Sequence, residues 1–268
     1  MVGSWGGLGD AALELCGDLR HIWSMAGIRL DQLLVSRGLA ESREKAQRLI
    51  IAGKVRVAGN VSDKPGKTFA DDCKIEIEQP ERFVSRGGEK LEGAFQKFGL
   101  NVEGLVCLDV GASTGGFTDC LLQHGAARVY SVDVGKGQLH WKLRSDPRVV
   151  VIDEINARYI TPTLLPEKPS FACADVSFIS LTLVLPAVIK VLAVPATLVT
   201  LIKPQFEVGR DQVGAGGVVR DVQMREAVVE KIRVFGENKL GLEWRGVCES
   251  PIKGPAGNVE FLAWWNRK

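Results

Sequence analysis

The sequence predicts an α/β protein: a mostly parallel sheet with helices on both faces, preceded by a small α+β module. Three observations carry that prediction. From about residue 86 onward, strand-like apolar runs alternate with helical ones, the pattern of a parallel sheet whose crossovers are helices. The first of those strands runs through a glycine-rich turn into a helical stretch, VCLDVGASTGGFTDCLLQHG. Ahead of the sheet lies a short segment with its own helix–helix–hairpin pattern and its own charge balance, so the chain divides in two.

Taken in order, residues 1–25 read as an N-terminal tail, expected to be disordered and dispensable. They contain no basic start followed by an unbroken apolar stretch, so they do not read as a signal peptide. Residues 26–80 form the small module. Leu30, Leu33 and Leu34 mark a short amphipathic helix ending before Gly38. Ser42 is an expected N-cap for a second helix, with Ala46, Leu49 and Ile50 on one face and Gly53 beyond its end. KVRVAGN alternates and is expected to turn at Gly59-Asn60, and KIEIE, 74–78, alternates again. Residues 81–85 are a short linker, and residues 86–268 form the sheet module. Its strands are VCLDV, RVYSVDV, RVVVID, SFACADV, ATLVTLIK, LEWRGVCES and NVEFLAWW.

The formal net charge of +2 is too small to matter as an average, but its distribution is uneven. Between Arg29 and Lys67 nine basic residues stand against four acidic ones. A solvated charged face is the plain explanation, yet small basic helix-plus-hairpin modules often bind phosphate backbones. The run RLDQLLVSRGLAESREKAQRLIIAGKVRVAGN, followed by KPGKTFADDCKIEI, resembles the S-four RNA-binding domain. That resemblance implies that Arg29, Arg37, Arg43, Lys45, Arg48 and Lys54 face RNA phosphates.

In the sheet module, Gly111, Gly115 and Gly116 permit unusual dihedrals and close backbone approach. Asp133 ends the next strand, where a carboxylate can accept hydrogen bonds from ribose hydroxyls. An ordinary glycine turn would look much the same. The spacing is G-x-x-x-G-G rather than the dinucleotide fingerprint G-x-G-x-x-G, which leaves NAD the runner-up cofactor. With Asp109 in front, D-x-G-x-x-x-G-G resembles the S-adenosylmethionine loop of class I methyltransferases. The resemblance implies a seven-stranded, Rossmann-like sheet and a cofactor site built from Asp109, Gly111, Ser113, Gly115, Gly116, Phe117, Asp133, Asn156 and Asp175.

Four further polar residues sit at strand ends or at a helix start: Lys90, Asp175, Lys203 and Glu260. Each has a bland explanation. Lys90 fits a solvated helix charge, Asp175 a helix cap, and Lys203 with Glu260 a buried ion pair. Together they resemble the lysine–aspartate–lysine–glutamate set of the FtsJ-like ribose methyltransferases. With the leading RNA module, the chain from about Ala26 is similar to the TlyA (hemolysin A) family, through SRGGEKLEGA, LDVGASTGGFTD, DVGKGQLHWKLR, ADVSFISL, LIKPQFEVG and GNVEF. Where that family has an aromatic linker after an arginine, this chain has Arg82-Phe83-Val84. The resemblance implies ribose 2′-O-methylation of cytidine in ribosomal RNA, with ribosomal RNA or ribosomal subunits as partners. Burial disfavours a charged lysine, so Lys203, at the end of an apolar strand, is the expected base. Asp175 would orient it, and Lys90 and Glu260 would position the acceptor hydroxyl. The glycine-rich segment 208–221 fits a mobile loop near the substrate or a plain connection equally well.

Composition narrows the alternatives. The chain is 46% hydrophobic and 25% charged, ordinary for a globular protein with a substantial core. Six cysteines without C-x-x-C spacing, and only three histidines, give no zinc pattern. Unpaired cysteines suit a reducing cytoplasm. The apolar stretch 178–202 carries Lys190 near its middle and Pro186 and Pro195 within it. It reads as buried helix, turn and strand rather than a membrane span, which weighs against a membrane-damaging protein with stable insertion. A non-catalytic RNA-binding factor is the remaining alternative. The sequence carries no sign of oligomeric state.

Overall fold

The computed structural model describes residues 27–78, 81–209 and 212–268. The expected tail, the first residue and the last two residues (79–80) of the expected small module, and Arg210 and Asp211 of the glycine-rich segment lie outside the described residues. The chain divides into two compact units, residues 1–80 and 81–268.

In the first unit, β1 (Ile28–Arg29) leads into α1 (Leu30–Ser36) and α2 (Arg43–Ile51). Ser42 caps α2 by accepting a hydrogen bond from the Lys45 amide. Two hairpin strands follow, β2 (Val55–Val57) and β3 (Asn60–Val61). The turn falls at Ala58-Gly59, one residue before the expected Gly59-Asn60. Both turn residues have positive φ, 49° and 82°, the twist that suits a two-residue hairpin loop. β4 (Thr68–Phe69) pairs with β1, and β5 (Ile75–Ile77) pairs with β2. Leu30, Leu34, Ala46, Ile50, Val55 and Val57 form the core of this unit.

In the second unit, α3 (Gly87–Phe98) precedes β6 (Val106–Val110), α4 (Gly116–Gln123), β7 (Arg128–Val132), the short α5 (Trp141–Arg144) and β8 (Val149–Ile152). β9 (Phe171–Ala174), α6 (Leu181–Val191), β10 (Ala196–Ile202), α7 (Pro204–Glu207), α8 (Val222–Leu240), β11 (Glu243–Glu249) and β12 (Phe261–Arg267) complete it. The seven strands lie in the order β11-β12-β10-β9-β6-β7-β8. All neighbours run parallel except β12, which is antiparallel to both β10 and β11. Strand order reverses between β6 and β9, and ligands of such sheets bind beyond the carboxyl ends of the strands at that switch point.

The sheet is buried on both faces, which is why its strands read as near-continuous apolar runs. One core cluster gathers Leu185 and Val188 of α6 with Ile232 of α8. The other gathers Leu91 and Phe95 of α3 with Leu121 of α4, Phe171 and Leu262. The stretch 178–202 is the expected buried helix, turn and strand, with Pro186 contained inside α6 rather than ending it. Among the described residues no helix is long and apolar enough to cross a membrane.

Candidate active site

Three strand ends meet at the switch point. β6 ends at Val110 and turns sharply through Gly111, whose φ is +83°. A Cβ there would lie 2.4 Å from the carbonyl oxygen of Asp175, so only glycine lets the two strand ends approach. Gly115, at φ +98°, faces Leu139 and Leu143 and opens the turn into α4.

A cleft of about 990 Å³ opens beside this turn, lined by Gly111, Ser113, Asp133, Asn156, Asp175 and Phe178 among others. Asp133 accepts hydrogen bonds from the Ser113 amide at 2.8 Å and the Gly135 amide at 2.7 Å. That clamp fixes the carboxylate at the cleft wall. Asn156 caps the short turn after β8 through the Arg158 amide. A second cleft of about 540 Å³ is lined by Lys90, Lys203, Gly116, Phe117, Arg86 and Lys253. Gly111, Ser113, Asp175 and Ser177 line both clefts, so the two spaces adjoin at those residues.

The structure brings all four expected catalytic residues together there. Lys90 comes from α3, Asp175 from the residue after β9, Lys203 from the residue after β10, and Glu260 from the residue before β12. Glu260 Oε2 lies 2.5 Å from Lys90 Nζ. Lys90 Nζ lies 4.0 Å from Asp175 Oδ2, and Asp175 Oδ1 lies 2.5 Å from Lys203 Nζ. The result is an alternating chain, Glu260–Lys90–Asp175–Lys203. Glu260 is 1% exposed and Lys203 8% exposed, so the charges neutralise one another out of bulk water. This corrects the sequence alternative of a Lys203–Glu260 pair. The buried Glu260 carboxylate takes Lys90, and Lys203 takes Asp175. Asp175 is not a helix cap, since Ser180 caps α6.

Lys203 has a further partner that sequence reasoning did not single out: its Nζ donates to Ser177 Oγ at 2.8 Å. The signal was only a hydroxyl two residues after Asp175 in ADVSFIS. Phe178, also unassigned from sequence, is 91% exposed at φ +62°. Its ring lies 4.9 Å from that of Phe206, centroid to centroid.

Asp109 is a correction. It lines neither cleft. Its carboxyl is 0% exposed and accepts a hydrogen bond from Thr118 Oγ1 at 2.7 Å. Burial pushes it up to about 7, against the pull of the Thr118 hydrogen bond. Its place is under the glycine turn, bracing the first turn of α4 from β6. Glu92, two residues after Lys90, shows the opposite balance. Burial acts to raise it, but hydrogen bonds from His124, Gln96 and Arg82 hold it down at about 2. Through Arg82 it ties the segment before α3 to the helix that carries Lys90.

Five of the six basic residues expected to face RNA have intradomain partners. Arg29 and Arg43 both bond the buried Asp31 carboxylate, at 3.0 and 2.9 Å. Arg37 donates to the carbonyls of Asp71 and Cys73. Lys45 pairs with Glu41 and Lys54 with Glu78. Arg48, on the last turn of α2, has no ion pair among the described residues.

Comparison with known proteins agrees with this architecture. Residues 83–267 match the model of the FtsJ-like methyltransferase family, and residues 28–69 match the S4 domain. The chain is 48% identical over 238 residues to a Mycobacterium tuberculosis protein named 16S/23S rRNA (cytidine-2′-O)-methyltransferase TlyA, covering 88% of each chain. It is 47% identical over 237 residues to Hemolysin A of Brachyspira hyodysenteriae, covering 88% of this chain and 98% of that one. A solved structure from Streptococcus thermophilus, provisionally named a hemolysin, superposes with a TM-score of 0.69 at 46% identity, covering 91% of this chain and 90% of that one. This chain therefore belongs to the TlyA (hemolysin A) family, in which an S4 domain precedes an FtsJ-like methyltransferase domain.

Proposed function

We propose that this protein transfers a methyl group from S-adenosylmethionine to a ribose 2′-hydroxyl of ribosomal RNA, with cytidine as the acceptor nucleoside. The observation that carries the reading is the Glu260–Lys90–Asp175–Lys203 chain at the wall common to two clefts. The cytidine and ribosomal RNA parts rest on the name of the Mycobacterium tuberculosis relative.

The larger cleft suits the donor by its own chemistry. The Asp133 carboxylate offers acceptors for ribose hydroxyls, and Asn156 lies along the same wall for the base. The close approach at Gly111 would leave backbone, not side chain, to face the methionine part of a bound donor. When bound, S-adenosylmethionine supplies a sulfonium whose methyl group is electrophilic. The protein must then align the acceptor oxygen and remove its proton. Lys203 Nζ, in its neutral form, accepts the proton of the 2′-hydroxyl, and the Asp175 carboxylate balances the ammonium that results. Lys90, fixed by Glu260, donates toward the acceptor oxygen and sets its position. A base so placed contributes typically ~10²–10⁴-fold in rate. The S4 domain would dock the RNA. This reading places the protein in the cytoplasm, with ribosomal RNA.

The test is methyl transfer from radiolabelled S-adenosylmethionine to intact ribosomal subunits and to naked ribosomal RNA, followed by mapping of the modified ribose. Lys203→Ala is expected to lose methyl transfer while keeping donor binding. Full activity in that variant removes the base assignment. Loss of donor binding would make Lys203 a structural member of the ion-pair chain instead. Methylation on a base rather than a ribose would overturn the proposed reaction.

A further inference from the structure

Lys203 has two close protein contacts, and they differ in kind. Asp175 Oδ1 lies 2.5 Å from Nζ but has no aligned hydrogen-bond donor. That contact supplies charge without direction. Ser177 Oγ, at 2.8 Å, is the aligned acceptor for the Lys203 ammonium among the described residues. The Phe206 ring lies 5.9 Å from Nζ and offers a face but no acceptor of comparable strength.

A primary amine works as a base only when its lone pair points at the proton it takes. Nitrogen is tetrahedral, and rotation about Cε–Nζ is easy, so a lysine held by charge alone can present its lone pair in several directions. An aligned hydrogen bond to a hydroxyl takes one of the three tetrahedral positions with an N–H and so narrows that freedom. Ser177 can supply such a hydroxyl because it lies two residues after Asp175, just beyond the end of β9, the strand paired in parallel with β10. Its backbone is thus positioned by the same strand pairing that positions Lys203.

We propose that Ser177 is a positioning residue that aims Lys203: Asp175 provides the counter-charge, and the Ser177 hydroxyl sets the direction of the amine toward the space where the two clefts adjoin. The inference rests on the assignment of Lys203 as the base. It concerns turnover, because the Lys203–Asp175 contact does not run through the serine side chain.

The experiment compares Ser177→Ala, Ser177→Thr and Lys203→Ala in the full chain, using radiolabelled S-adenosylmethionine and ribosomal subunits. Ser177 is solvent-exposed, so both Ser177 variants should melt close to the wild type, whereas Lys203→Ala, which leaves Asp175 without its 2.5 Å partner, serves as the inactive reference for turnover. Ser177→Ala is expected to lower kcat roughly tenfold, the loss of one hydrogen bond to a charged group, with KM for both substrates and donor affinity unchanged. Ser177→Thr, which keeps the hydroxyl, should restore kcat to within about twofold. Wild-type turnover in Ser177→Ala beside an inactive Lys203→Ala overturns the role of Ser177 alone. Failure of threonine to restore turnover also overturns it, as does a loss that appears in KM. Full activity in Lys203→Ala removes the base assignment, and this inference with it.

Discussion

Lys90→Met should destabilise the second unit strongly, for a reason separate from catalysis. Glu260 is 1% exposed, and its Oε2 sits 2.5 Å from Lys90 Nζ. Methionine nearly matches lysine in length and volume, so the cavity left behind is small and the cost is electrostatic. Removing one partner of a buried pair costs about 3–5 kcal/mol, because the other charge is left without compensation. In a unit of this size each kcal/mol moves Tm by roughly 2–4 °C, so the melt should fall by about 6–20 °C. Lys90→Met combined with Glu260→Met removes both charges at similar volume and should bring stability back to within about 1 kcal/mol of the wild type, or above it. Thermal and denaturant unfolding of the wild type, both single variants and the double variant close a cycle whose coupling, with about 3–5 kcal/mol for either single removal and no more than about 1 kcal/mol for the double, should reach at least about 5 kcal/mol. Methyl transfer should be lost in all three variants, including the restabilised double. A Lys90→Met protein that melts within about 2 °C of the wild type would refute the argument, since an orphaned buried carboxylate cannot be that cheap.

The other predictions concern the cofactor turn and the first unit. The Asp109 carboxyl, raised to about 7 by burial, is protonated more readily in the folded chain than unfolded. Its contribution to stability should therefore be full below about pH 4 and decline as pH rises toward 7. Asp109→Asn should flatten that decline in melts taken from pH 5 to 8, and an unchanged pH dependence would refute the assignment. Gly111→Ala places a Cβ 2.4 Å from the Asp175 carbonyl in a left-handed conformation costing about 1–2 kcal/mol. Donor affinity, read by titration calorimetry, should fall at least tenfold, whereas wild-type affinity would show that the turn does not shape the cleft. In the first unit, the Arg29 guanidinium holds the Asp31 carboxyl well below the usual carboxylate range, with Gln47 and Arg43 adding to it against burial. Its stabilising effect is present above about pH 4 and lost as pH falls further. Asp31→Asn should weaken protection of the amides of residues 27–78 in hydrogen exchange at neutral pH and remove that acid sensitivity. Wild-type protection would refute it.

Much of this protein was legible because its local patterns are unambiguous. The strands of the parallel sheet are apolar on both faces, so runs such as VCLDV and ATLVTLI announce burial without alternation. Gly111 is dictated by a positive φ and a close strand approach. The residue types of the catalytic set are also written in the chain. The hairpin turn falls one residue before Gly59-Asn60 because Ala58 accepts a positive φ that sequence alone assigns to its neighbours.

Which charge meets which was decided by the tertiary structure. β12 inserts antiparallel beside β10 with Phe261 opposite Ile202, and α3 packs over the same sheet face through Leu91 and Phe95. Strand order and helix packing are long-range facts that no local period records. They delivered Lys90 to Glu260, left Lys203 to Asp175 and Ser177, and sealed Asp109 beneath the turn. The sequence by itself determined the elements, the division into two units and the supply of ionisable groups. The fold determined their partners, because a buried charge is satisfied by whichever opposite group the packing brings within reach.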